Sequence, residues 1–151
     1  MIEEKIVELG YTLPVVAKPL AAYVPAVKVG DYIFTSGQVP LVDGKIVYTG
    51  KVGGEVSEED GIKAAEICAL NCLAAVKSML NSLDEVEKVV KVTVFVNSVN
   101  DFVNQPEVAN GASELIGKIF GEAGKHARSA VGVNVLPRNA SVEIEMIVKV
   151  K

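Results

Sequence analysis

The residues best placed to do chemistry in this 151-residue chain lie in its last quarter. Arg128 opens an otherwise apolar run, Arg128-Ser129-Ala130-Val131-Gly132-Val133, and Glu143 stands among apolar neighbours in Val142-Glu143-Ile144-Glu145-Met146. An arginine offers a rigid planar fork that matches a carboxylate with two hydrogen bonds, which a lysine cannot do. A glutamate in a partly desolvated cleft has its pKa raised and can handle a proton nearer neutrality. With the connection Leu136-Pro137-Arg138-Asn139-Ala140, the two runs read as a hairpin that carries guanidinium and carboxylate on partner strands. Alternation alone does not say whether the two side chains share a face, because a one-residue change of register turns every side chain over. Each also has a plainer reading, Arg128 as a salt-bridge residue and Glu143 as an exposed strand residue like Glu145.

Other reactive groups are few. Cys68 and Cys72 sit four apart in a helical pattern, a spacing that places reduced thiols side by side in a core. With His126 the only histidine in the sequence, a zinc site has too few ligands. His126 is read as shaping a loop or interface beside Arg128 more than as a base. Gly50-Lys51-Val52-Gly53-Gly54 lacks the Gly-Lys-Ser/Thr ending that grips phosphate and magnesium.

The elements that must position these residues follow from periodicity. Ile2, Ile6 and Leu9 recur at helical spacing before Gly10, and Thr12 to Leu20, with two prolines, reads as a loop. Tyr23–Val29 and Tyr32–Ser36 read as two strands turned at Gly30-Asp31, with a sharp exit at Ser36-Gly37-Gln38-Val39-Pro40. Residues 41 to 56 form a glycine-rich loop with a short strand near Lys45 to Tyr48. Ser57 caps a long helix whose first turn is acidic and whose apolar stripe runs from Ile62 to Leu80. Val86 to Val96 is the clearest strand, with Val90, Val92, Val94 and Val96 on one face and Val89, Lys91, Thr93 and Phe95 on the other. Pro106 opens a further helix with a stripe from Val108 to Ile119, closed by Gly121 and Gly124. The order predicts one α+β domain over 1–151, with the two longer helices on one face of a mixed sheet. In the last strand Val142, Ile144, Met146, Val148 and Val150 face one way, and Glu143, Glu145, Ile147, Lys149 and Lys151 the other.

Composition narrows the classes. Half the residues are apolar and the mean hydropathy is +0.34, yet no run approaches the roughly 18 apolar residues of a membrane span. The acidic start, Met1-Ile2-Glu3-Glu4, is unlike a signal peptide, so the reading is cytoplasmic. Apolar excess without a span predicts surface buried between subunits. A net charge of −4, four Phe, four Tyr and no Trp give no basic, aromatic face for nucleic acid.

Five stretches in order resemble the RidA/YjgF family. They are Tyr23-Val24-Pro25-Ala26-Val27, Thr35-Ser36-Gly37-Gln38-Val39-Pro40, Val92–Asn97 with Asn100-Asp101-Phe102, Ala127-Arg128-Ser129, and Leu136-Pro137 with Val142-Glu143-Ile144-Glu145. The resemblance spans roughly residues 18 to 150. It implies a chorismate-mutase-like fold of the bacillary type, and a homotrimer with clefts between subunits. It also implies hydrolysis of reactive 2-imino and enamino acids to 2-oxoacids and ammonia, without metal or cofactor. Arg128 matches the arginine that holds the substrate carboxylate, and Glu143 the glutamate that positions the attacking water. Tyr23, Ser36 and Asn110 match positions lining the cleft, although Tyr23 also suits a core and Ser36 its own turn. An imine carbon is already electrophilic, so orientation and one proton-handling group suffice.

The chain departs from the deaminase pattern at Ala130, where characterised deaminases often carry cysteine. It also has a longer loop at 41 to 56, a small insertion at 103 to 109 and an N-terminal extension, which mark a divergent, longer branch. Besides a deaminase, two readings stand: a binding protein for small carboxylates such as 2-oxoacids, and an endoribonuclease or translation inhibitor, which the acidic, aromatic-poor composition disfavours.

Overall fold

The alternating residues of the C-terminal run form β7 (Val142–Val150), the strand about which the sheet is arranged in the computed structural model, which describes residues 1–16 and 22–151. On one side β7 pairs with β2 (Tyr32–Thr35), which pairs with the edge strand β1 (Ala26–Val29). On the other side it pairs with β5 (Val86–Asn97), and β6 (Ala127–Val133) forms the far edge. The order is β1-β2-β7-β5-β6, antiparallel throughout except for the parallel β5–β6 pair. A separate two-stranded hairpin of β3 (Leu41–Val42) and β4 (Lys45–Ile46) turns through Asp43 and Gly44, both at positive φ, as a tight hairpin turn requires. The expected short strand near Lys45 is one arm of it. Thr12–Val16 carry no regular structure, and the rest of the loop predicted to Leu20 lies outside the described residues.

Among the described residues, three α-helices pack with the sheet: α1 (Ile2–Glu8), α2 (Glu58–Lys77) and α3 (Gln105–Phe120). Ser57 caps α2 by accepting from the Asp60 N–H, beside the acidic first turn that complements the helix dipole. The alanine-rich face of α2 lies on β7 and β2, and α3 packs beside it over β5 and β6. Between helices and sheet lie Ala65, Ala69, Leu73, Ile116, Val92, Val94, Ile144, Met146 and Val148, all fully or almost fully buried. Cys68 and Cys72 belong to this core and donate to the Val142 and Ile144 carbonyls. Burial pushes both thiols up, Cys72 to about 12, so neither is a nucleophile near neutral pH.

Two expectations require correction. β6 and β7 are not a hairpin, because β5 lies between them and pairs with both. Parallel neighbours need a crossover, and α3 supplies it between β5 and β6. The chain then passes over the end of β5, where the buried Asn97 amide donates to the Gly50 and Ala140 carbonyls and its backbone N–H to Ser141. Alternation identified both strands but carries no information about their partners. The second correction is local: Val89 is buried in place of Val90, because register shifts near Val86/Lys88 and Val89/Lys91 interrupt the alternation of β5.

Among the described residues, nothing covers the face away from the helices. Val27, Val29, Tyr32 and Phe34 stand on it next to Ile147, and Val131 stands beside Phe95. Phe34 is 43% and Val29 62% exposed, in a patch that also holds Glu143 and Glu145.

Candidate functional site

Arg128 stands level with Val92 across the β5–β6 pairing. Val92 faces the helices, so the arginine leans the same way, over the open edge of β6 towards α3. There its Nη1 donates to Asn110 Oδ1 at 2.8 Å and Ser113 Oγ at 3.2 Å. Asn110 and Ser113 are one helical turn apart and therefore neighbours on one face of α3. Both are neutral acceptors, and no carboxylate pairs with Arg128 among the described residues. Its Nε and Nη2 donors make no protein hydrogen bond among those residues. A half-buried guanidinium held by neutral groups on one nitrogen, with a free edge, is a ready seat for a carboxylate.

That edge borders a shallow pocket of about 300 Å³ lined by Ser113, Gly117, Gly124, Lys125, His126 and Arg128. Gly117 follows Ser113 by one turn, and a Cβ on it would meet open space. The 3-10 turn Gly121–Gly124 brings the chain from α3 to His126. His126 Nδ1 lies 2.6 Å from the Gly124 carbonyl oxygen, and Nε2 lies 2.9 Å from Ser113 Oγ. A carbonyl only accepts, so Nδ1 carries the proton and Nε2 accepts from the Ser113 hydroxyl. Burial holds the His126 pKa below its ordinary value; Arg128 and Lys88 act in the same sense, against the Gly124 hydrogen bond. The lowered pKa favours the neutral form of the ring.

Glu143 lies on the other face of the sheet. It stands level with Phe95 across the β5–β7 pairing, on the uncovered side. Burial, and secondarily the Glu145 carboxylate, raises its pKa. Its carboxylate rests over Gly37, where a Cβ would come within 2.6 Å of Oε2. That glycine is fixed by its neighbours. Gln38 and Ile144 exchange backbone hydrogen bonds of 2.8 and 2.9 Å, and Ser36 N–H donates to Pro25. Ser36 Oγ donates to the Val24 carbonyl at 2.6 Å, so the hydroxyl anchors the entry to β1. Tyr23, immediately before Val24, is 59% exposed, which removes the core reading of that residue.

The five sequence candidates thus fall into two groups. Arg128 and Asn110 meet at the α3–β6 edge, while Glu143, Ser36 and Tyr23 belong to the β1–β2–β7 end. Within one chain the sheet stands between the groups. Ser113 escaped the sequence reading because a serine in a helix carries no signal, and only the fold brings it to Arg128. His126 is tied more closely to the arginine than a loop-shaping role required.

The sequence model of the family described as "YjgF/chorismate_mutase-like, putative endoribonuclease" matches residues 3–149. The chain belongs to this family. Protein TCP17 of Trypanosoma cruzi is 44% identical over 142 residues, covering 93% of this chain and 89% of the relative. A 2-iminobutanoate/2-iminopropanoate deaminase of Dermatophagoides farinae is 34% identical over 139 residues, covering 91% and 93%. Among solved structures, protein Atu1372 of Agrobacterium tumefaciens, described as of unknown function, is 49% identical, with a TM-score of 0.93 over 99% of this chain and 93% of that one. The α+β, chorismate-mutase-like fold expected from the sequence is therefore that of the YjgF family. A deaminase name stands among the relatives, and the word endoribonuclease in the family description and among the solved structures.

Proposed function

We propose that this YjgF-family chain hydrolyses reactive 2-imino and enamino acids to 2-oxoacids and ammonia, in clefts between the subunits of a homotrimer. The observation that carries the reading is Arg128: half-buried, held by Asn110 and Ser113 on one nitrogen, and lacking an acidic partner among the described residues. The substrate carboxylate takes the free edge of the guanidinium, which brings the adjacent imine carbon into the pocket. Glu143 positions the attacking water, and Tyr23 and Ser36 line the same side of the cleft. Because the sheet separates Arg128 from Glu143, the two reach one substrate only if a neighbouring subunit supplies the second. The uncovered sheet face, with exposed Phe34, Val29 and Val131, supports such an association. In a ring of three, each contact joins two different surfaces and closes on itself, giving three equivalent clefts.

The chemistry asks little beyond this. Holding the carboxylate and orienting the water account for most of what an electrophilic imine needs. No cofactor enters the proposed reaction. The proposal is tested by generating 2-iminopropanoate in situ from an amino acid and following its decay with and without the protein. Faster release of 2-oxoacid at micromolar protein is the expected result. Binding of 2-oxoacids without acceleration would make the chain a small-carboxylate binding protein instead. Cleavage of RNA with no effect on the imine would favour the endoribonuclease name.

A further inference from the structure

From the geometry at the α3–β6 edge we infer that Ser113 and His126 form a proton relay serving the substrate held on Arg128. The inference rests on the deaminase reading and adds to it the group that accepts the water's proton. Three observations carry it. Ser113 Oγ stands between Arg128 Nη1 at 3.2 Å and His126 Nε2 at 2.9 Å, accepting from the first and donating to the second. The Gly124 carbonyl fixes the proton of His126 on Nδ1, so Nε2 is the basic atom and it faces the serine. All three side chains line one pocket, and Gly117, on the next turn of α3, leaves it room for a small ligand.

The placement is that of a hydroxyl activated by an oriented imidazole, with a backbone carbonyl as the orienting group. It also lies on the same subunit as the arginine, whereas Glu143 has to come from a neighbour. The charged groups around the ring are Arg128 on the strand that follows it, Lys88 on β5, and the Lys125–Glu122 pair of the preceding turn. The excess of positive charge favours a neutral imidazole, which is the form that accepts.

The steps balance without a further reactant. The substrate enters as the nitrogen-protonated imine. The water oxygen bonds to C2 and the C=N π pair moves to nitrogen. One water proton passes to Ser113 Oγ as the serine's own proton passes to His126 Nε2. The imidazolium then returns that proton through Ser113 to the amine nitrogen. The C2–N bond breaks with its electron pair on nitrogen, which leaves as ammonia. The remaining carbinol proton follows the relay to His126 and then to solvent, and C2 becomes the carbonyl of the 2-oxoacid. Glu143 keeps its part in orienting the water.

The test compares wild type with Ser113→Ala, Ser113→Thr and His126→Asn by imine hydrolysis from pH 5 to 9, alongside 2-oxoacid binding. Loss of general acid–base help predicts a fall of about 10²-fold or more in kcat/KM for Ser113→Ala and His126→Asn. Binding should stay within about threefold, because Arg128 retains Asn110, and threefold is well under 1 kcal/mol. Ser113→Thr restores the hydroxyl and should recover most of the rate, which separates relay from packing. The acidic limb of the wild-type rate profile should disappear in His126→Asn. An active wild type whose Ser113→Ala and His126→Asn variants keep full rate and the same profile overturns the relay and leaves the deaminase standing. A wild type that does not hydrolyse the imine overturns both.

Discussion

Arg128 stands level with Val92 and Glu143 level with Phe95, on strands either side of β5, so the two side chains leave the sheet on opposite faces. No rotamer change brings a half-buried carboxylate through a packed sheet. A reaction that uses both therefore draws them from two copies of the chain. Arg128→Ala and Glu143→Gln are each expected to lose most of the imine hydrolysis. Unfolded and refolded together in equal amounts, they should regain about a quarter of the wild-type rate, since in a cyclic ring one cleft in four pairs an intact arginine with an intact glutamate. Activity no higher than the sum of the separate variants would show that the two residues do not share a cleft.

The fork of Arg128 should matter beyond its charge. Lysine keeps the positive charge but gives up the second parallel hydrogen bond and the tie to Asn110 and Ser113. A hydrogen bond to a charged group contributes about 1.5–3 kcal/mol, so Arg128→Lys is expected to weaken 2-oxoacid binding roughly tenfold or more. Isothermal titration with pyruvate reads this directly, and wild-type affinity in the lysine variant would mean the fork is not used.

Much of the sheet was legible because its strands carry a strict period. Val142 to Val150 alternates without a break, and every residue expected to face the helices is buried there. Ser57 and Gly121 marked helix ends through chemistry that is local to those ends. What period cannot carry is the identity of a partner, which is why β6 and β7 read as a hairpin although β5 lies between them. Nor can it foresee a bulge, and so Val89 took the place given to Val90. The site was less legible still. Arg128, Asn110, Glu143, Ser36 and Tyr23 came from an ordered resemblance, while Ser113 reaches Arg128 only because a crossover helix lays its face along a sheet edge.

Glu143 should make the fold less stable at neutral pH, and the sign follows from linkage. Burial and Glu145 raise its folded pKa above the ordinary value, so between those two values the folded chain binds more protons than the unfolded one. Stability therefore falls as pH rises through that window and stays lower above it. Glu143→Gln is expected to melt higher than wild type at pH 7, with the difference shrinking as pH drops to the ordinary glutamate value. Thermal melts at a series of pH values decide it, and an equal or lower melting temperature for the variant at pH 7 contradicts the assignment.

Gly37 fixes where the Glu143 carboxylate lies. A Cβ at this position would meet the end of a side chain rather than backbone, so Gly37→Ala should displace the carboxylate and leave the fold in place. A shift of about 1 Å in a catalytic group can cost on the order of 10²-fold in rate. The variant is expected to keep its melting temperature and its 2-oxoacid affinity while kcat falls at least tenfold, a misplacement on the scale given above. Unchanged kcat would place Glu143 outside the reaction.

Two glycines of α3 should respond to alanine in opposite directions. Gly111 lies where α3 runs close against α2, and a Cβ there would collide with the Ile62 carbonyl oxygen. Backbone cannot swing aside as a side-chain end does, so the helices must separate, and overpacking of this kind costs about 1–3 kcal/mol. Gly117 sits six residues on, in the same helix, with nothing within reach of a Cβ. Alanine there removes conformational freedom from the unfolded chain and is expected to stabilise the protein by about 0.5–1 kcal/mol. It also places a methyl group in the pocket beside Arg128, so 2-oxoacid affinity should fall while stability rises. Denaturant unfolding of the two variants, with pyruvate titration of the second, separates the roles: Gly111 sets the approach of two helices, and Gly117 keeps the pocket open.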